Sequence, residues 1–140
     1  MTLSIRNRLT GTVSDITSGA VMGTVRIELP NGEIVTSAVT MDAIKEVGVG
    51  IGSAVEVLVK ATDVSLATGE TSGLTIRNQL SGTLVGLDTG GAMALARIAL
   101  SSDVELTAAI TRASADDLGL APGTPVTALI KSTEVAFSAL

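Results

Sequence analysis

From Val21 to Leu29 polar and apolar residues alternate along the chain. Val21, Gly23, Val25, Ile27 and Leu29 fall on one face, and Met22, Thr24, Arg26 and Glu28 on the other. Successive strand side chains point to opposite faces, so this alternation predicts a half-buried strand. Pro30-Asn31-Gly32 follows as a hairpin turn, and Ile34 to Val39 is the returning strand. Upstream, Ile5 to Ile16 predicts a long first strand, with Gly11 the expected place for a bend or bulge. Downstream, Val55, Val57 and Val59 alternate with Glu56, Leu58 and Lys60, and a short last strand covers Val64 to Leu66. One helix fits between the third and fourth strands. Thr40 can cap it, Asp42 lies in its first turn, and Gly48 follows its last.

The pattern then repeats. Ser4-Ile5-Arg6-Asn7-Arg8-Leu9-Thr10-Gly11-Thr12 returns as Thr75-Ile76-Arg77-Asn78-Gln79-Leu80-Ser81-Gly82-Thr83, a shift of 71 positions. The register holds without a gap to the end of the chain: Gly19 meets Gly90, Met22 meets Met93, Arg26 meets Arg97, Thr40 meets Thr111, Gly48 meets Gly119 and Lys60 meets Lys131. Such self-similarity marks two copies of one unit. The expected boundaries are residues 1–68 and 74–140, with 69–73 a polar, Gly-containing linker. Within each copy the order is β-β-β-α-β-β, that of the five-stranded OB barrel. The expected fold is therefore mainly β: two tandem OB-like five-stranded barrels, each with one short helix. Closing the strands into a barrel would hide their edges.

Composition narrows the chemistry. The chain of 140 residues has 46% hydrophobic residues but a single aromatic, Phe137, so the apolar mass is Val, Ile, Leu and Ala. A unit of 60–70 residues buries only about 60% of its unfolded surface. Without aromatics, metals or disulfides such a unit needs its sister or other chains to complete a core, which predicts a homo-oligomer. There is no Cys and no His, which removes the usual zinc sites, thiol nucleophiles, His-based triads and disulfide frameworks. A net charge of −5 and one aromatic argue against nucleic acid, which wants basic surface and stacking rings. No apolar run approaches the ~18 residues of a membrane span, and the start shows no signal-peptide pattern, so the expected location is the cytoplasm.

Catalysis has little to work with. Asp116-Asp117 lies in the predicted helix, where structural acids are common, and Gly48-Val49-Gly50-Ile51-Gly52 precedes a strand rather than opening a helix, which reads as a turn and not a phosphate loop. No enzyme activity is expected. What both copies retain is a donor-rich set: Ser4, Arg6 and Asn7 with Lys60, and Thr75, Arg77 and Asn78 with Lys131. Four of the nine basic residues belong to it, and Arg26 with Arg97 forms a further matched pair. Arg offers a planar fork, Lys a compact charge, and hydroxyl and carboxamide neutral donors, a combination suited to a small oxyanion. Residues i and i+2 share a strand face, which places hydroxyl and guanidinium together. The same residues also fit a plainer reading, in which the cations are solvated and Asn supports a turn. Spacing alone does not place Lys60 near Arg6.

At these residues the sequence resembles the molbindins, small molybdate-binding proteins built from Mop domains. The resemblance is carried by Ser4-Ile5-Arg6-Asn7, Gly11-Thr12-Val13, Ser18-Gly19-Ala20-Val21-Met22, Ala38-Val39-Thr40 and Val59-Lys60-Ala61-Thr62-Asp63-Val64. The second copy repeats it at Thr75-Ile76-Arg77-Asn78, Gly90-Gly91-Ala92-Met93, Ala109-Ile110-Thr111 and Ile130-Lys131-Ser132-Thr133-Glu134-Val135. It covers nearly the whole chain and matches the tandem, di-Mop form. It implies molybdate storage or homeostasis in the cytoplasm, with tungstate as a near-equal ligand, no catalysis, and a trimer of two-domain chains with anions bound between domains. The family's oxyanion ligands fall on Ser4, Arg6, Lys60 and the backbone at Ala61, and on Thr75, Arg77, Lys131 and Ser132. A second family site maps to Gly19, Ala20, Val21 and Met22 and to Gly90, Gly91, Ala92 and Met93. Thr75 departs from the usual Ser, and the helix-start Ser114 is Ala43 in the first copy. The metal would arrive as its oxyanion, so no separate metal-ligand cluster is expected. Two other functions remain open: an oxyanion-sensing module acting through a partner protein, and an OB-type module for another ligand. Charge and shape do not separate molybdate from sulfate.

Overall fold

The computed structural model describes residues 1–140. Strands β1 (Asn7–Ser18), β2 (Met22–Glu28) and β3 (Ile34–Thr40) are followed by helix α1 (Met41–Val47), β4 (Ala54–Val59) and β5 (Ser65–Ala67). The second copy gives β6 (Asn78–Thr89), β7 (Met93–Ala99), β8 (Glu105–Thr111), α2 (Arg112–Asp117), β9 (Pro125–Ile130) and β10 (Ala136–Ala139). A 3-10 turn precedes each last strand, at Ala61–Asp63 and at Ser132–Glu134.

The alternating pattern is realised as packing. Gly23, Val25, Ile27 and Leu29 are buried, while Met22, Arg26 and Glu28 are exposed. Val21 is the exception at 72% exposure, because it sits in the β1–β2 hairpin tip before the ladder begins. Both helices carry the expected caps: Thr40 Oγ1 accepts from the Ala43 N–H at 3.1 Å, and Thr111 Oγ1 from the Ser114 N–H at 3.1 Å. Gly48 closes α1 in the left-handed region at φ 73°, donating to the Ile44 carbonyl. The bulge expected at Gly11 lies instead at Ser14, where the β1–β2 register shifts between Val13 and Asp15, and the second copy shifts between Leu84 and Gly86. Gly11 pairs regularly with Val55; a Cβ there would lie 2.5 Å from Ile27 Cγ2, so glycine serves close packing rather than a bend.

Each sheet has five strands, and each borrows one. The orders are β10-β4-β1-β2-β3 and β5-β9-β6-β7-β8. The last strand of each sequence repeat thus completes the sheet of the other repeat: β10 pairs β4, with Ala136 opposite Leu58, and β5 pairs β9, with Ser65 opposite Leu129. The repeats at 1–68 and 74–140 therefore are not self-contained bodies in space. The 3-10 turns direct this exchange. The turn at Ala61–Asp63 packs against β8 and that at Ser132–Glu134 against β3, so the chain crosses to the other half before forming its last strand. Val64 and Val135, just after the turns, are each 1% exposed and anchor the crossings. Each sheet curls into a partly open OB-like barrel whose two edge strands are not joined by a ladder. In the first, the buried Ser37 hydroxyl on β3 donates to the Val135 carbonyl beside β10 and bridges that gap.

Candidate functional site

The β1–β4 register settles what spacing left open. Asn7 on β1 lies opposite Val59 on β4. Arg6 precedes Asn7 and Lys60 follows Val59, so the antiparallel ladder puts the two residues at the same end of the sheet. Asn78 opposite Ile130 does the same for Arg77 and Lys131. Ser4 and Thr75 lie two residues before each Arg, ahead of strands that open only at Asn7 and Asn78, so the shared strand face expected for hydroxyl and guanidinium is not formed; Ala61 and Ser132 follow each Lys directly and open the 3-10 turns.

The second copy forms the clearer concavity. Thr75, Ile76, Arg77, Lys131, Ser132 and Thr133 line a cleft of about 240 Å³. Arg77 has no hydrogen bond or ion pair within the chain, whereas Arg6 donates from Nε to the Ser4 carbonyl at 3.2 Å and from Nη2 to the Leu3 carbonyl at 3.4 Å. Lys60 borders a separate cleft of about 250 Å³ with Asp63 and Glu134, and Lys131 also borders one of about 170 Å³ with the same two acids. Neither lysine is ion-paired; the ion pairs are Arg8–Glu56 at 2.8 Å and Arg112–Asp116 at 4.0 Å. Exposed, unpaired cations at the end of a ladder can take a small anion without first breaking a salt bridge.

Asn7 and Asn78 are placed differently from the rest of the set. They are 3% and 2% exposed, and each carboxamide is spent on the other half of the molecule. Asn7 Nδ2 donates to the Thr107 carbonyl at 2.8 Å while its Oδ1 accepts from the Thr107 N–H at 2.7 Å. Asn78 makes the same pair with Thr36, both at 2.8 Å. Each side chain thus acts as one residue of a neighbouring strand on the exposed edge of β8 or β3. Their reach to an anion is indirect: they fix the strand start from which Arg6 and Arg77 project. Sequence reasoning had no signal for this bridge, because the partners stand 100 and 42 positions away.

The other candidates lie elsewhere. Gly19–Met22 and Gly90–Met93 form the β1–β2 and β6–β7 hairpin tips, at the opposite end of the 12-residue first strands from the Arg/Lys cluster. The Val21 carbonyl accepts from Met41 N–H and that of Ala92 from Arg112 N–H, tying each tip to its helix start. Arg112 Nη1 also donates to the Gly90 carbonyl at 3.1 Å, so this loop alone has a cation beside it. Arg26 and Arg97 are exposed on β2 and β7, opposite Thr36 and Thr107, the residues that Asn78 and Asn7 bridge. A cleft of about 550 Å³ is lined by Thr10, Gly11, Thr12, Glu28, Leu29, Pro30, Ala54 and Leu140. It contains a carboxylate and no cation, which suits an oxyanion poorly. No helix is long and apolar enough to cross a membrane.

Comparison with known proteins identifies the family and the fold. The TOBE domain model matches twice, at residues 3–66 and 74–137. The molybdenum-pterin-binding protein MopA of Rhodobacter capsulatus is 38% identical over 136 residues, covering 96% of this chain and 51% of that protein. The molybdenum transport protein ModE of Azotobacter vinelandii is 34% identical over 135 residues, covering 96% of this chain and 50% of its own length. The chain thus spans about half the length of these curated relatives. The crystal structure of the cytoplasmic molybdate-binding protein ModG with molybdate bound superimposes with a TM-score of 0.95 at 35% identity, covering 100% of both chains. Two matched domains and full-length agreement with a two-domain structure lead to one conclusion: the chain belongs to the TOBE-domain family, in its tandem Mop form.

Proposed function

We propose that this protein binds molybdate, and tungstate with it, as a cytoplasmic store that buffers molybdenum supply, and that it acts as a binder without catalysis. The observation that carries this reading is the cleft of the second copy, lined by Thr75, Arg77 and Lys131, whose counterparts Ser4, Arg6 and Lys60 recur in the first copy at the same distance from its first and fourth strands. A tetrahedral dianion needs several donors and about two compensating charges, and each cluster offers one guanidinium, one ammonium and neutral donors. A charge pair at 4 Å is worth about 4 kcal/mol at an effective dielectric near 20, enough to offset part of the anion's lost hydration. The net charge of −5 is no obstacle, because the local field decides. In this reading Ser4, Arg6, Lys60 and Ala61, with Thr75, Arg77, Lys131 and Ser132, contact the anion, while Asn7 and Asn78 position them. The hairpin tips Gly19–Met22 and Gly90–Met93 supply a second kind of site where three chains meet. Support for the ligand comes from ModG, which holds molybdate on the same fold.

Titration calorimetry with molybdate, tungstate, sulfate and phosphate tests the proposal. The expected outcome is binding of molybdate and tungstate in preference to sulfate; equal or absent response to all four would overturn it. Arg6→Ala combined with Arg77→Ala should remove most binding with the fold intact, because each Arg contributes charge-assisted hydrogen bonds of about 1.5–3 kcal/mol. Lys60→Ala with Lys131→Ala should act in the same direction more mildly, since Lys lacks the planar fork. Circular dichroism and sedimentation mass verify that each variant is folded. Parent-like binding by both folded double variants would place the site elsewhere. A second reading, an oxyanion-sensing module working through a partner, draws on the match to about half of ModE. Co-purification of a stoichiometric, molybdate-dependent partner from cells would favour it over free storage.

A further inference from the structure

We infer that Asp63 and Glu134 are internal counter-charges that compete with the bound oxyanion for Lys60 and Lys131, and so limit how tightly both Arg/Lys sites hold it. This rests on the oxyanion-binding reading above and adds two residues that reading leaves unused. Each acid ends the 3-10 turn that its lysine begins: the Asp63 N–H donates to the Lys60 carbonyl and the Glu134 N–H to the Lys131 carbonyl, both at 2.9 Å. Residues three apart eclipse one another in a 3-10 turn, which puts each carboxylate on the side of its own lysine. The acid of the other half is there as well. Asp63 and Glu134 both border the cleft of Lys60, and both border that of Lys131, so each lysine faces one carboxylate from either half.

Lys131 shows the competition directly. It borders the acid-lined cleft and also the cleft of Thr75 and Arg77, so it stands between a carboxylate pair and the proposed anion position. The ion pairs of the molecule are Arg8–Glu56 and Arg112–Asp116, which leaves both acids and both lysines unpaired. A lysine ammonium is a point charge on a flexible four-carbon stem and can turn either way. A dianion arriving here must share the ammonium with the carboxylates and is repelled by them. The acids thereby weaken retention while every donor stays in place, which suits a store that has to give up its cargo. The clefts open to solvent, so salt screens this repulsion: the Debye length falls from about 10 Å at 0.1 M to about 3 Å at 1 M.

Calorimetric titration of the full chain with sodium molybdate, in about 20 mM and about 0.5 M NaCl, tests this. The parent is compared with Asp63→Asn combined with Glu134→Gln, which removes both charges, and with Asp63→Glu combined with Glu134→Asp, which keeps them. The neutralised variant should bind about tenfold tighter than the parent at low salt, and the gain should shrink to about twofold at high salt. The charge-keeping variant should stay close to the parent at both. A merely structural role would respond to side-chain length and not to salt. Glu134→Gln alone, at an exposed position, should give a smaller gain in the same direction and carries the test if the double variant does not fold. Unchanged or weaker binding by the folded neutral variants would overturn the inference, as would a gain of equal size at both salt concentrations or one shared by the charge-keeping variant. Each of these leaves the oxyanion function standing, whereas no molybdate binding by the parent would remove both.

Discussion

Asn7 and Asn78 stand where a neighbouring strand would otherwise lie. Each pairs with the N–H and carbonyl of one residue on an open sheet edge, Thr107 or Thr36, and so protects an edge that would invite association. Replacing either by Ala deletes two hydrogen bonds and leaves backbone groups unpaired. The expected cost is about 1–3 kcal/mol, read as a lower urea midpoint at unchanged slope. An unchanged midpoint would mean water replaces the carboxamide freely. Glu33 gives a pH-dependent case. Burial raises its carboxyl above the ordinary value, and the Asn31 amide only partly opposes this. A raised folded-state value means that the charged form is held at a cost at neutral pH. That cost disappears as pH falls through the raised value toward the unfolded one and Glu33 protonates. Glu33→Gln should therefore raise the melting temperature at pH 7, and the gain should fade in acid. A gain of the same size at pH 4 would point to a cause other than charge.

The strand exchange determines which fragments are viable. Residues 1–68 alone lack β10 for β4, and residues 74–140 alone lack β5 for β9. Neither half is expected to be a folded monomer. The two halves, produced as separate chains divided within 69–73, should instead associate one to one, and mass determination checks this. A well-folded, monomeric half would contradict the reciprocal pairing. Elements with local causes were legible from the sequence. The alternation over Val21–Leu29, the Thr40 and Thr111 caps and the Pro30-Asn31-Gly32 turn each depend on residues a few positions apart. The ownership of Ser65–Ala67 and Ala136–Ala139 was not, because a short apolar run pairs equally well with either Val-rich neighbour and only the packing of the preceding 3-10 turn decides. The site follows the same division. Its members stood out because they recur at a constant shift, but the adjacency of Arg6 to Lys60 is a property of register between strands far apart in sequence. The bulge at Ser14 has no signal of its own in the sequence, whereas Gly11 carries the familiar one.

For the molecule as a whole, exposed Val21, Met22, Met93 and Leu95 leave apolar surface at and beside the hairpin tips. That surface fits the proposed trimer, and Met22→Glu with Met93→Glu should move the sedimentation mass from three chains toward one. Molybdate bound between domains should raise the melting temperature, because a ligand that binds only the native assembly stabilises it by mass action. No rise in excess molybdate, with sulfate as control, would contradict binding between domains. The reciprocal last strands carry a consequence for how the protein is made. Domains in longer chains generally fold as units, the N-terminal one first, while synthesis continues. Here the first sheet lacks its fifth strand until Ala136–Ala139 exists, and that strand follows every other element of the second repeat. The emerging chain must hold a Val-rich β4 edge unpaired through the synthesis of the entire second repeat, and then complete both halves almost together.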